Sequence, residues 1–412
     1  LFVNALGLEI IQTCNLDEFN TSELPKFNYS DVKFDSIISI KPHTILFDVG
    51  IKDYLIEVNN HNQYCKIFFK NSNSIVPFDL LGAAFWLLTR YEEYLPYKSD
   101  KHNRFNYKSS LAYQYDFIET PLINLWLSEL KNLLLNKYPE LKFTIQPYYF
   151  VSTIDIDSAF KFKFKGFVRS TAGYISDILS RNLISFKLRW LVNSGKKSDP
   201  FDCYNFLIDV HKKERVEAIY FFLLGDYGPN DKNHAATNLD FQALIKGISD
   251  YSKIGIHPSF GSNKNIHQLK IEISRLANII HNTITKSRQH YSMLKFPQTY
   301  QNILSAGILE DFSMGYTNCN GFRASYCLPY KWYSLENEAA TPLTINSFCL
   351  NENTLIYFSK KENKSLKELA EPLITEVKKY NGKLVSVFHN DSFSDEIKKF
   401  YIEFIKLANS KN

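Results

Sequence analysis

The sequence predicts an α/β protein in two parts: a small α+β unit over residues 1–146 and a repeated βα unit over residues 147–412. Three observations predict this. Short β-branched and aromatic runs, such as residues 148–154 and 384–388, read as buried strands. Other stretches carry apolar residues at helical spacing, Leu269, Ile273, Leu276 and Ile280 the clearest. From about Pro147 onward the two kinds alternate, as they do in a parallel sheet or a barrel.

In the first part, residues 37–40, 44–47 and 64–69 read as strands. Residues 80–94 and 121–135 read as helices, with Glu92 and Glu93 on a solvated face. In the second part, strands are expected at 148–154, 218–224, 254–257 and 384–388. Helices are expected at 201–213, at 239–251, through Leu269 to Ile280, and through Leu366 to Val377. Ser365 and Glu368 form a capping box at the start of the last of these, and Gly382 can close its far end.

A chain of 412 residues is long enough for two domains. Lys plus Arg number 48 against 43 Asp plus Glu, a net +5 that does not demand a nucleic-acid partner. No P-loop, G-x-S-x-G or dinucleotide fingerprint occurs, so phosphoryl transfer, serine hydrolysis and hydride transfer have no support. No apolar run reaches the ~18 residues of a membrane helix. The six cysteines include no C-x-x-C pair, which argues against a disulfide framework and a cysteine-based zinc site. That usage predicts a reducing compartment and hence the cytoplasm. Residues 1–11 lack a basic leader and a cleavage site; a leader upstream of Leu1 would move the expectation to the periplasm or envelope. Oligomeric state is not legible.

Asp155 and Asp157 stand two apart at the end of an apolar run and so project from one side of a strand. Two buried carboxylates side by side need a metal or a shared proton. His257 and His389 each end a strand-like run, and His290 follows Arg288 by two. Any one of these can be an ordinary hydrogen-bonded residue. Four such features at the strand ends of one α/β unit point to a site. One Asp and two His make the three-ligand set of a hydrolytic metal centre. The alternation Lys161, Phe162, Lys163, Phe164, Lys165 is either a groove wall for an anionic glycan or an amphipathic loop. Asp226, after the second strand, either reaches the cleft or shapes a turn.

The ordered landmarks are Asp155 with Asp157, then His257-Pro258, Arg288 to Tyr291, Gly321-Phe322-Arg323 and His389-Asn390. Over residues 147–412 this order resembles a divergent polysaccharide deacetylase, of the NodB-like, carbohydrate esterase family four type. The first part, through residues 77–82 and 89–94, resembles an uncharacterised domain that accompanies such deacetylases in Bacteroidetes-like bacteria. The resemblance implies a deformed (β/α) barrel preceded by a smaller α+β domain of unknown role. It implies metal-dependent hydrolysis of N-acetyl groups on a polysaccharide or envelope glycan. Carried over, Asp155 is the general base, His389 the general acid, and Arg288 orients the base. Asp157 and His257 are metal ligands, the ion being divalent and by ligand type zinc. Arg323, Asp226 and Tyr291 are expected to contact substrate.

Two departures stand out. Ile156 separates aspartates that are usually adjacent in the family, and Gly261 occupies the place of the second metal histidine. His290, expected to share Arg288's face of a short strand, is expected to supply the missing imidazole. Two rival readings remain: a catalytically inactive glycan-binding or scaffold protein on the same fold, and a small-molecule N-deacylase.

Overall fold

A computed structural model describes residues 1–71 and 75–410. Its centre is one sheet of nine strands. In chain order these are β1 (Tyr149–Ile156), β2 (Glu217–Phe222), β3 (Lys253–Ile256), β4 (Lys286–Ser287) and β5 (Glu310–Asp311), then β6 (Tyr330–Ser334), β7 (Ala339–Ile345), β8 (Leu350–Asn351) and β9 (Lys383–His389). Across the sheet the order is β6-β7-β5-β4-β3-β2-β1-β9-β8. All neighbours run parallel except β6 and β7.

The two faces of β1 have different fates because its side chains alternate. Phe150, Ile154 and Ile156 join Tyr220, Phe222, Leu384 and Phe388 in the large core. Val151 points the other way, into a small cluster with Ile219, Phe221, Phe312, Phe348, Val385 and Val387. That inner cluster reveals a curled sheet. The rings of Phe221, on β2, and Phe312, just past β5, are 5.4 Å apart although β3 and β4 lie between them. A flat sheet would hold those strands roughly 14 Å apart. The edges β6 and β8 do not pair with each other among the described residues, so the expected barrel is an open one.

The helices needed below are α1 (Leu80–Thr89), α2 (Leu122–Lys137), α3 (Gly166–Leu179), α4 (Leu183–Asn193), α5 (Tyr204–Glu214), α6 (Leu239–Ser249), α7 (Ile266–Ile280), α8 (Gln298–Ser305), α9 (Glu352–Glu362), α10 (Leu366–Lys379) and α11 (Asp395–Asn409). The capping box at Ser365 and Glu368 starts α10. At its far end Asn381 takes the positive φ of 51°, and Gly382 donates its N–H to Val377. A Cβ on Gly382 would lie 2.6 Å from the Cys327 sulfur, so the glycine serves close packing there.

Some expected elements differ. The strand expected at 44–47 is one 3-10 turn, Thr44–Leu46, because the His43 side chain accepts the Ile45 N–H and caps it. The helix expected through 94 stops at Arg90, whose φ is +55°. Glu92 and Glu93 therefore turn inward rather than onto a solvated face. The Glu93 carboxylate, 2% exposed, accepts from Arg90 Nε at 2.8 Å and from Arg323 Nε at 2.9 Å. Breaking such a buried pair costs about 3–5 kcal/mol. This network seams residues 1–146 to the sheet, as does the Ile123 N–H to the Ser325 carbonyl at 3.1 Å. Buried apolar residues from both parts, Trp126 and Phe388 among them, join in the large core. Hairpin α3–α4 fills the stretch between the expected strand at 148–154 and the expected helix at 201–213.

Two buried histidines predict acid lability. His211, on α5, lies between the hydroxyls of Tyr401 (2.6 Å) and Tyr220 (3.3 Å), and burial pushes it down to about 4. Burial also pushes His234 down to about 4. Both are neutral in the fold and protonate near 6.5 when unfolded. Their stabilisation is complete above pH 6.5 and is lost as pH falls through 4, on the order of 3 kcal/mol apiece. The thermal midpoint is expected to drop across that window, and His211→Gln to flatten the drop. A midpoint unchanged from pH 7 to 4 would contradict this.

Candidate active site

Strand register assembles the site. His389 on β9 sits beside Asp155 on β1. Further along, Ile156, Phe222, Ile256 and Ser287 are successive partners on β1 to β4. Asp157, His257 and Arg288 follow that row by one residue. The ladder runs on past the strand ends through the His257 N–H to Phe222 O (2.8 Å) and the Arg288 N–H to Ile256 O (3.1 Å). Asp155, Asp157, His257, Arg288 and His389 therefore emerge on the inner face, at the C-terminal mouth of the curl.

Asp155 is buried, and its Oδ1 accepts from Arg288 Nη1 at 3.0 Å. The Arg288 guanidinium lies between the rings of Phe221 and Phe348 and donates from Nε to the Phe312 carbonyl at 2.9 Å. Held this way it fixes one carboxylate oxygen and leaves Oδ2 facing the mouth. Oδ2 is 3.8 Å from His389 Nε2 and 4.0 Å from His257 Nε2.

Three lone pairs converge on one point. His257 Nδ1 bonds to the carbonyl of Arg288, an acceptor only, so Nδ1 carries the proton and Nε2 of the neutral ring presents a lone pair. That Nε2 faces Asp157 Oδ1 at 3.2 Å, and neither atom has a hydrogen-bond partner among the described residues. On the other side, His290 Nδ1 is 2.9 Å from Asp231 Oδ1, and His290 Nε2 is 3.4 Å from Asp157 Oδ2. The three ligand atoms lie within 4.8 Å of one another. Acceptors aimed at each other this closely need a cation between them, a proton or a metal ion. Burial lowers the His290 pKa, but the Asp157 and Asp231 carboxylates outweigh it and push the ring up to about 9. Burial likewise raises Asp157, yet His290 and His257 hold it well below the usual carboxylate range. Two imidazoles and one carboxylate are a donor set that fits a divalent transition metal, with coordination positions left over.

His290 reaches this point by a route the sequence concealed. Strand β4 ends at Ser287, and His290 opens a 3-10 turn in which Tyr291 has φ of +57°. The residue is placed by its backbone N–H bond to Pro258 O (3.1 Å) and the ring is aimed by Asp231, not by a strand face shared with Arg288. Asp231 is itself held by the Phe260 N–H at 3.0 Å, one residue before Gly261. Where the resembled family has a second histidine, this chain thus uses backbone to fix an aspartate that fixes His290.

His389 has its own buried partner. Its Nδ1 is 2.6 Å from Glu352 Oε1, which also accepts the His389 N–H (3.1 Å) and the Ser392 hydroxyl (3.0 Å). Glu352 is the first residue of α9, after the N-cap Asn351, where the helix N-terminus favours a carboxylate. Burial lowers the His389 pKa, but Glu352 dominates and holds it well above 6.5.

Of the other expected site residues, Asp226 and Arg323 lie apart from this cluster and Tyr291 packs against it. Asp226 is 71% exposed and pairs with Arg275 at 2.8 Å; the long loop after β2 carries it outward and brings Asp231 inward instead. Arg323 spends Nε and Nη2 on Glu93 and Nη1 on the Gly315 carbonyl (3.1 Å), so it buttresses the seam. Tyr291 packs on His290 with ring centroids 4.2 Å apart, and its hydroxyl donates to Asn230 O at 3.4 Å. Beyond it, at Ser292, opens a cavity of about 270 Å³ also lined by Arg104, Tyr107, Lys108, Tyr316 and Arg323. Lys161, Phe162 and Lys163 donate their backbone N–H groups to the buried Asp199 carboxylate, so this part of the alternating loop is a structural wrap.

Residues 1–139 match a family of unknown function, DUF7033. No curated protein matches the chain. Among solved structures, it is similar to a Mycobacterium smegmatis protein assigned as a polysaccharide deacetylase. There the identity is 10%, the TM-score 0.37, and the match covers 66% of this chain and 88% of that one. It is also similar to the polysaccharide deacetylase Bc1974 from Bacillus cereus (11% identity, TM-score 0.31, 63% and 86% covered). A third is the catalytic domain of a peptidoglycan N-acetylglucosamine deacetylase from Eubacterium rectale (12% identity, TM-score 0.30, 65% and 87% covered).

Proposed function

We propose that this protein is a metal-dependent hydrolase that removes acetyl groups from an N-acetylated glycan. The observation that carries the reading is the meeting of the Asp157, His257 and His290 lone pairs beside Asp155 and His389. Asp157 with the Nε2 atoms of His257 and His290 would hold the ion, zinc by ligand type. When bound, the metal supplies Lewis acidity toward the acetyl oxygen. Asp155 Oδ2, left available while Arg288 holds Oδ1, takes a proton from the attacking water. His389 Nε2 gives a proton to the sugar nitrogen as the C–N bond breaks, which releases a free amine and acetate. Glu352 keeps His389 charged for that donation, and Asp231 fixes the His290 tautomer.

Metal analysis of the purified protein, alongside acetate release from a panel of N-acetylated glycans, tests the reading. One equivalent of metal and metal-dependent acetate release are expected. Bound metal with glycan affinity but no acetate release would leave a glycan-binding scaffold in its place. Release only from small N-acyl compounds would leave a small-molecule deacylase.

A further inference from the structure

We propose that hairpin α3–α4 docks this protein on an anionic lipid membrane, with its apolar stripe in the interface and its basic residues over the headgroups. The hairpin is built inside out. Its two helices meet through small and polar groups: Asp177 pairs with Arg189 at 2.7 Å, and a Cβ on Gly173 would lie 2.4 Å from the Arg189 guanidinium. Between them Tyr174 and Phe186 pack with ring centroids 5.3 Å apart. Apart from Tyr174, the large apolar residues of α3 point outward. Phe167, Val168, Ile175, Ile178 and Leu179 fall within one side of α3 by their helical spacing, and all are exposed. The first turn of α4 adds Leu183 and Ile184. Phe167 is 86% exposed, Leu179 79% and Ile184 83%. A contiguous apolar stripe of this kind marks a surface with an occupant.

Charge identifies the occupant. Residues 161–197 carry nine Lys and Arg against a single acid, Asp177, a net +8. The whole chain is only +5, so the rest of it is −3. The one acid is buried against Arg189, and Arg181, Lys187, Lys196 and Lys197 are exposed around the stripe. Exposed aliphatic and aromatic side chains flanked by cations match the acyl boundary and headgroups of an anionic bilayer. No helix among the described residues is long and apolar enough to cross a membrane, so the hairpin lies on the surface.

The hairpin is also tied to the loop after β2. Arg169 stacks over Tyr227 with 4.1 Å to the ring centre and donates to the Asn233 carbonyl at 3.0 Å. Tyr227 and Asn233 flank Asp231, and α3 follows the strand end that carries Asp155 and Asp157. Docking would therefore hold that strand end near the lipid surface.

Co-sedimentation of the full chain with phosphatidylcholine vesicles, with and without about 30 mol% phosphatidylglycerol, tests the proposal. Binding to the anionic vesicles is expected to be at least about tenfold tighter than to neutral ones, and to weaken with added salt. The double variant Leu179→Asp/Ile184→Asp is expected to abolish it, and Arg181→Glu/Lys187→Glu to weaken it about tenfold or more. All four side chains are exposed, so an unchanged thermal midpoint will show that the fold survives. Absence of binding, or equal binding to both vesicle types, overturns the proposal. So does self-association in light scattering that Leu179→Asp/Ile184→Asp removes while vesicles bind neither form, because the stripe then covers a second copy.

Discussion

Asp157→Ala is expected to leave the protein folded and without its metal. Each oxygen of this carboxylate faces a different imidazole, His257 at 3.2 Å and His290 at 3.4 Å, so one substitution removes the group that joins the two. The side chain is 34% exposed, and truncating it opens no core cavity. Loss of even an outer-sphere partner costs about 10–100-fold in metal affinity, so loss of a ligand is expected to cost at least that upper figure. Stability should report it too. A metal present at about a thousandfold over its dissociation constant stabilises the fold by roughly 4 kcal/mol. Added metal should therefore raise the thermal midpoint of the wild type and not that of the variant. His257→Ala and His290→Ala are expected to behave alike, and Asp226→Ala, at a salt bridge on the surface, to keep full metal content. A stoichiometric ion retained in Asp157→Ala would move the centre elsewhere, with Asp155 the next carboxylate to test.

The sequence made the strand ends legible because strands leave a local record. β1 and β9 are runs rich in β-branched and aromatic residues that carry Asp155 and His389 at their C-terminal ends, and period-two alternation then predicts which side chains share a face. The same reasoning fails where geometry comes from loops. Asp231 lies in an aperiodic stretch after β2, and nothing nearby shows that the Phe260 N–H, 29 residues later, will hold it. Glu352 could have been noticed as an acid following the N-cap Asn351, but its relation to His389 depends on the pairing of β8 with β9, 37 residues away. The spacing of His290 from Arg288 points to the site, but β4 is only two residues long and a left-handed turn at Tyr291 sets the ring's direction. Glu93 and Arg323 show the converse error. Each looks like a surface or cleft residue alone, and they become a buried pair only when the first part folds onto the sheet.

His389→Ala is expected to lose turnover while keeping its metal, which separates the proton donor from the ligands. His389 Nε2 lies 3.8 Å from Asp155 Oδ2 but belongs to no ligand contact, and its other nitrogen is committed to Glu352. Removing a general acid costs about 10²–10⁴-fold in rate, so kcat should fall in that range with metal content unchanged. Glu352→Gln refines the test. The carboxylate raises the His389 pKa by favouring the imidazolium, and the neutral amide removes that support. A donor must be protonated to act, so the alkaline limb of the pH–kcat profile should move to lower pH in Glu352→Gln, with metal content unchanged. A merely structural glutamate would lower activity evenly at every pH. Equal loss of metal in His389→Ala and His257→Ala would remove the division between acid and ligand, and His389 would then have to be counted among the groups that hold the ion.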